Sequence, residues 1–504
     1  MAGTATPGIV AAGHVRAADA AATILERGGN AFDAIIAAGF ASSVCEPGFT
    51  SLAGGGFLLA RSPDLGDVLF DFFVDTPGRG LDAGAVAPAF EEVSVDFGSA
   101  TQTFHCGPGS VAVPGVLAGY LHVHERLGRL PLADLVAPAV VLAEGGVEVT
   151  TTQSSDFTLL APILARTEAS RAIFFPDGDL LQAGDTLRNP DLAAFLDALG
   201  RGDGETFYDG GLGARFVDQL GDHGGLITAA DLASYRVIER TPLRARYRDR
   251  TLLTNPPPTF GGALLALALR RLDAAGAPLP AGSPERALQL VRLMADVDRD
   301  RAAGHPEVRA ALQGDLSDDP GARPVVTRGT THVTVADAEG NVASMTTSNG
   351  ECSGDVITGT GICCNNMLGE DDLHPDGFHA APPGVRVASM MSPTFVLGPD
   401  GAVELALGSG GSKRIRSALL QVLAATIDDG TPLDEAVLAP RIHWDADHLE
   451  VEPGLAPDVL AALEAAHPVN AWPAPSMYFG GVHAVAPGRT GAGDPRRGGA
   501  VRIV

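Results

Sequence analysis

The stretch Arg328-Gly329-Thr330-Thr331-His332-Val333 puts a hydroxyl residue where a polar, loop-like segment meets an alternating apolar one. If the chain is cut before Thr330, that residue carries both a hydroxyl and a free α-amine. An α-amine has an ordinary pKa of about 7.7–8.0, so an appreciable fraction is neutral near pH 7. It can take the hydroxyl proton directly or through one water, and one residue then supplies both nucleophile and base. Before the cut, the same hydroxyl could attack the Gly329 carbonyl and form an ester that water opens. Glycine at 329 leaves that carbonyl accessible. Spacing alone keeps a second reading open, since Thr330-Thr331 is also how a β-branched strand begins.

A nucleophile of this kind needs a site for the oxyanion it creates. Gly408-Ser409-Gly410-Gly411-Ser412 follows an apolar strand and precedes Arg414 and a helix. Successive backbone N–H groups at such a turn converge on an anion, helped by the helix N-terminus. The same run is equally compatible with a plain turn. Other chemistries lack their motifs. There is no HExxH, no metal-spaced Cys/His cluster and no GxSxG, and Gly54-Gly55-Gly56 lacks the GK[ST] ending of a phosphate loop. Neither a metal nor a cofactor is expected.

Elements must bring these residues together. Residues 9–12 read as a strand, followed by helices over 17–26 and 31–43 that Gly28-Gly29-Asn30 separates. Residues 107–320 read mostly as helices. Residues 306–329 are polar and punctuated by Pro and Gly, which reads as a surface linker. Beyond it the period changes. Residues 332–337 and 342–347 alternate about Glu339-Gly340-Asn341, a β-hairpin. Residues 394–397 and 403–407 form a second hairpin, and a helix follows over 416–427. The adjacent Cys363-Cys364 reads as strand. Helices around antiparallel hairpins indicate a layered α/β or α+β fold rather than a doubly wound parallel sheet.

Composition bounds the rest. The chain has 504 residues, 45% hydrophobic and 19% charged, which is enough to bury a sizeable core. A prior of roughly 150 residues per domain suggests about three domains. The net charge of −26 disfavours a nucleic-acid backbone or an acidic membrane surface as partner. No stretch of 18 uncharged apolar residues predicts a membrane span, and no secretory signal is visible at Met1, so a cytoplasmic protein is expected. Five cysteines without a CxxC pair imply no disulfide framework.

Taken in order along the chain, the motifs resemble those of the γ-glutamyltransferases (γ-glutamyltranspeptidases), a family of N-terminal-nucleophile hydrolases. Gly28-Gly29-Asn30-Ala31-Phe32-Asp33-Ala34 resembles the family's GGNAxDA opening, and Gly54-Gly55-Gly56-Phe57 its glycine turn. Gly224–Leu232, Pro256-Pro257-Pro258, Thr330-Thr331-His332 with Asp337 and Gly340-Asn341, Asn365-Asn366, Met391-Ser392-Pro393-Thr394 and Asp494-Pro495-Arg496 continue the match. The resemblance implies a four-layer αββα sandwich. It implies autocleavage between Gly329 and Thr330, giving residues 1–329 and 330–504 as two subunits of one structural unit, possible further assembly being left open. Thr330 then matches the family nucleophile, and Ser348 the hydroxyl that bonds it. The oxyanion pair falls on Gly410-Gly411, or on Gly411-Ser412 one step along.

The resemblance weakens at the substrate. Phe73 stands where the family has an arginine for the glutamyl α-carboxylate, and phenylalanine cannot make that charge-assisted pair. Ser389-Met390 replaces two adjacent serines. Glu370 stands for the aspartate that holds the α-amino group, and Gly350 for an Asn or Glu at the same end. Arg79, Lys413 and Arg414 are candidate replacement cations. The implied activity is cleavage of a γ-glutamyl amide through an acyl-enzyme, with transfer to water or to an amino acid or peptide amine. Phe73 and Met390 suggest an alternative, an acylase for a non-glutamyl (for example glutaryl-type) amide. A third reading, of another class, is a non-catalytic metabolite-binding homologue.

Overall fold

The computed structural model describes residues 7–504 except 83, 85, 97–100, 304–307, 309–310, 312–328, 371–372 and 375–376. The expected linker over 306–329 therefore lies almost wholly outside the described residues.

Two antiparallel sheets face each other. The first has seven strands in the order Ala500–Ile503, Ile9–Ala12, Thr331–Ala336, Val342–Ser348, Gly55–Ser62, Gly66–Phe72 and Ile238–Arg240. The second has six, in the order Thr490–Gly493, Gly481–Ala486, Val403–Gly410, Thr394–Leu397, Arg250–Thr254 and Leu243–Tyr247. The layering follows from strand alternation, which sends successive side chains to opposite faces. Val10, Ala12, Leu58 and Ala60 join the helices Val15–Glu26, Ala31–Cys45 and Val116–Leu127 in one core. Their neighbours Ile9, Ala11, Phe57 and Leu59 meet Leu253, Phe395, Ala406 and Val485 of the other sheet in a second core. The outer face of the second sheet packs on Phe260–Ala274, Pro284–Ala302 and Lys413–Ile427. Three cores between four layers make the expected αββα sandwich.

Both sheets mix strands from before and after residue 329, so the two stretches do not build separate sheets. The two parts are also tied directly. Asn30 caps Ala31–Cys45 in a capping box with Asp33. Asp337 accepts from the Ala31 N–H at 2.9 Å and from the Asn341 N–H at 2.9 Å, joining the first glycine motif to the hairpin turn.

Several elements differ from the sequence expectation. Within 107–320, the strands Leu243–Tyr247 and Arg250–Thr254 complete the second sheet. The first alternates Arg244 and Arg246 outward, a period-two signal partly hidden by long charged side chains. The helix expected over 416–427 begins at Lys413, directly after the turn. Cys363 lies in the short strand Ile362–Cys363, whereas Cys364 makes only an isolated bridge to Ala53. All five cysteines are buried free thiols.

Candidate active site

Thr330 enters the central strand Thr331–Ala336, which pairs with Val342–Ser348. The last pair is Thr331 with Thr347, so Ser348 lies one step further, across from Thr330. A hairpin register thus turns an 18-residue separation into a contact. Ser348 Oγ donates to the carbonyl oxygen of Gly329 and accepts from the Gly350 N–H at 3.0 Å. The Gly329 N–H donates to Glu351 Oε1 at 2.9 Å. A Cβ at 329 would run into the Gly350 carbonyl, so only glycine fits before Thr330.

The predicted anion turn closes the other side. Val403–Gly410 ends where a Cβ at Gly410 would strike the Thr330 carbonyl. Gly411 has φ +114° and Ser412 φ +48°, and the helix begins at Lys413. The left-handed conformation is costly for serine and recurs at functional turns. The turn sits beside Thr330 at the start of the helix Lys413–Ile427.

A small cavity of about 20 Å³ opens beside Thr330 and Ser348, lined by Phe73, Glu370, Ser389, Met390 and Ser412 among others. The structure therefore gathers residues separated by more than 300 positions. Gly350 is adjacent, since a Cβ there would meet Glu370 Oε1 at 2.5 Å. A larger cavity between Arg250, Glu404 and Thr431 contains none of the predicted residues.

The three candidate cations do not reach the cavity. Arg79 lies 3.9 Å from Asp231. Lys413 Nζ pairs with Asp445 at 3.6 Å. Arg414 donates to the Tyr478 carbonyl and stacks 4.5 Å above its ring. Arg386 touches the Phe73 carbonyl but is committed to Asp71 and Asp75. Among the described residues, no cation lines this cavity. Phe73 is buried and stacks on Phe57 at 5.4 Å.

Four charged residues that the sequence reading did not single out surround Thr330 and Gly329. Arg497 Nη1 donates to the Thr330 carbonyl at 2.9 Å. Burial holds its guanidinium down to about 10. It follows the Asp494-Pro495-Arg496 motif, whose Asp494 is bound by Arg441 and by the Val482 N–H. Glu46 accepts from Thr331 Oγ1 at 2.9 Å, and burial pushes its carboxyl up to about 7. Glu351 is fixed by its N–H on Asn366 Oδ1 at 2.8 Å, which gives the Asn365-Asn366 motif a role. Asp156 lies on Thr151–Leu164. His332, two residues after Thr330 in sequence, does not line the cavity beside Thr330. Its ring is buried between Thr346 and Thr334, and burial drives its pKa well down.

The chain as a whole is also similar to known proteins. A sequence profile described as gamma-glutamyltranspeptidase matches residues 17–318 and 297–504. The chain is similar to the Acylase ACY 1 proenzyme of Pseudomonas sp. (strain V22), 36% identical over 96% of this chain and 90% of that protein. It is similar to the glutathione hydrolase proenzyme of Escherichia coli (strain K12), 31% identical over 92% and 85%. Among solved structures, cephalosporin acylase from Bacillus halodurans superposes with TM-score 0.83 and 25% identity over 99% of this chain and 96% of that one.

Proposed function

This chain belongs to the gamma-glutamyltranspeptidase family, and from that membership we propose that it acts through Thr330 after a cut between Gly329 and Thr330. Enzymes of this family cleave amides by acyl transfer, and the proenzyme relatives support a precursor processed into two subunits. The observation that carries the proposal is the Ser348 hydrogen bond to the Gly329 carbonyl, which polarises the bond next to the nucleophile.

Thr330 Oγ attacks the Gly329 carbonyl carbon. The C–N bond breaks, the new α-amine takes the proton, and water opens the ester. Turnover repeats this chemistry on a substrate. The α-amine accepts the Oγ proton as Oγ adds to the amide carbon. The oxyanion faces the N–H groups of the 410–412 turn. The amine leaves with a proton, and water or an acceptor amine attacks the Thr330 ester. Arg497 fixes the Thr330 backbone during both rounds.

The donor is a γ-glutamyl-type amide, with Glu370 positioned to receive its ammonium group. A second reading of the donor rests on a specific observation. The acyl cavity presents Phe73 and Met390 and, among the described residues, no cation. A glutamyl α-carboxylate there lacks a counter-charge, which favours acyl groups without one, as in an acylase. Donor competition tests this. Purified two-fragment protein is offered a γ-glutamyl anilide and a glutaryl anilide, with Thr330→Ala as control. Preference for the first supports the glutamyl reading and preference for the second the acylase reading. Release of neither by cleaved protein defeats both.

A further inference from the structure

The cavity beside Thr330, at about 20 Å³, has room for little more than a water, so the acyl group of any donor needs space beyond it. A second cavity of about 150 Å³ lies next to it, and Leu373 is a wall of both. Two stretches of chain run from one cavity to the other. Phe73 lines the first and Thr76 the second, while Ser389 and Met390 line the first and Val387 and Ala388 the second. The Val387 N–H ties the two stretches by donating to the Val74 carbonyl at 3.0 Å. Phe260, also in the second wall, donates its N–H to the Ser389 carbonyl at 2.8 Å. The second lining is mostly apolar, from Phe260, Leu373, Ala381, Val387 and Ala388. Arg386, its one cation among the described residues, already pairs with Asp71 at 3.3 Å and Asp75 at 2.9 Å. The His374 ring lies 2.9 Å from the Met367 carbonyl, and burial lowers its pKa, so it is neutral near pH 7. Thr76 is 5% exposed, and its hydroxyl oxygen is buried without a hydrogen-bond partner. Leaving that bond unmade is costly, and a ligand group can make it.

We propose that this second cavity receives the far part of the donor's acyl group, and that the donors are amides of uncharged acyl chains longer than glutaryl, with an apolar stem and a hydroxyl or carbonyl near the far end that pairs with Thr76. The inference rests on the acylase reading of the donor above and names its acyl class. With the amide carbonyl at Thr330, the stem passes along Leu373 from the first cavity into the second. Leu373 is then a residue that sets chain length. The stem buries its methylenes against Phe260, Ala381 and Val387. A carboxylate at the far end would leave water for an apolar wall whose cation is already balanced, and the cavity selects against it. The covalent step is that of any donor. Thr330 Oγ adds to the amide carbon, the C–N bond breaks, and the amine leaves with the proton that Oγ gave up.

The probes are the butanoyl and 8-hydroxyoctanoyl anilides and the mono-anilide of octanedioic acid, which differ in chain length and in charge at the far end. Two-fragment protein is assayed for kcat/KM on each. Lengthening the chain from butanoyl should raise kcat/KM by up to about four-fold per methylene, the scale of burying one. The octanedioic mono-anilide should fall at least about ten-fold below the hydroxy chain, the scale of an uncompensated charge. Thr76→Val should lower cleavage of the hydroxy chain roughly two- to ten-fold, the scale of one hydrogen bond. Ala381→Phe fills the second cavity from a half-exposed position and should bring the ratio of hydroxy chain to butanoyl close to one. A butanoyl anilide cleaved as well as the long one, a preferred octanedioic mono-anilide, no loss in Thr76→Val or an undiminished ratio in Ala381→Phe overturns the proposal. Calorimetric titration of two methyl ketones, 9-hydroxy-2-nonanone and 2-pentanone, into two-fragment protein decides it without turnover. Tighter binding of the long ketone that Ala381→Phe weakens supports the cavity even if no anilide is cleaved. Equal binding or none defeats it even if the butanoyl anilide is cleaved, an outcome that leaves the acyl-transfer reading standing.

Discussion

Ser348 Oγ holds the carbonyl oxygen of Gly329, and the Gly350 N–H holds Ser348 Oγ in turn at 3.0 Å. The hydroxyl is thereby held on the carbonyl that Thr330 attacks in the proposed cut. Ser348→Ala removes this donor and should slow the cut at least ten-fold, the scale of a lost oxyanion-type contact being roughly that or larger. Ser348→Thr should retain most of the rate. The appearance of two bands on denaturing electrophoresis over time measures both, and cutting at the wild-type rate in Ser348→Ala would remove Ser348 from the step.

Thr330→Ala should remain one uncut chain, while Thr330→Ser still matures. Gly329→Ala should also impair maturation, because its methyl would enter the Gly350 carbonyl. N-terminal sequencing of the smaller fragment should read Thr330-Thr331-His332. Any other start would relocate the nucleophile.

Phe73→Arg should raise kcat/KM for a γ-glutamyl anilide by about ten-fold or more, by restoring a carboxylate partner. The glutaryl to glutamyl preference should shift with it. The variant should melt lower, since Phe73 is buried on Phe57 and an arginine without ligand is poorly accommodated there. Unchanged donor preference would mean that position 73 does not decide the carboxylate clamp.

Glu46 predicts a pH dependence. Its folded carboxyl is raised from 4.5 to about 7, so the folded state holds the proton more tightly. The resulting stability is fully present below about 4.5 and is lost as pH rises to about 7, with no further change above. The shift corresponds to roughly 3 kcal/mol. Chemical denaturation of wild type against Glu46→Gln across pH 4–8 should show wild type losing about that much relative to the variant. Parallel curves would place Glu46 in a wetter environment than the structure shows.

Acid stability carries the opposite sign. Burial lowers His14 and His483 from 6.5 to about 4. Their contribution is present above 6.5 and lost as pH falls toward 4, because only the unfolded chain takes up the protons. Replacing His483 with Gln should flatten the acid limb of the stability curve, and an unchanged limb would count against a buried neutral ring.

The proposed nucleophile Thr330, its proposed hydroxyl partner Ser348 and the glycine turn could be singled out in the chain because the chemistry of an N-terminal threonine restricts residue types at a junction. Glycine and Asn-Asp motifs restrict backbone shape in the same local way. The layered class was legible too, since hairpin alternation and helix spacing are short-range signals. Other features depend on distant residues. Leu243–Tyr247 and Arg250–Thr254 became strands because the second sheet offered Thr394–Leu397 as a partner. Arg79, Lys413 and Arg414 could each have reached the acyl cavity by residue type, and only the positions of Asp231, Asp445 and Tyr478 settle that they do not. Asp156, Glu46, Glu351 and Arg497 carry no local motif. Their importance comes from burial beside Thr330 and Gly329, where removing water raises the cost of every unpaired charge. The sequence by itself determined the reaction class and pointed to the strand that carries the proposed nucleophile. The tertiary structure alone decided which charges surround that strand, because burial and pairing are properties of neighbours in space.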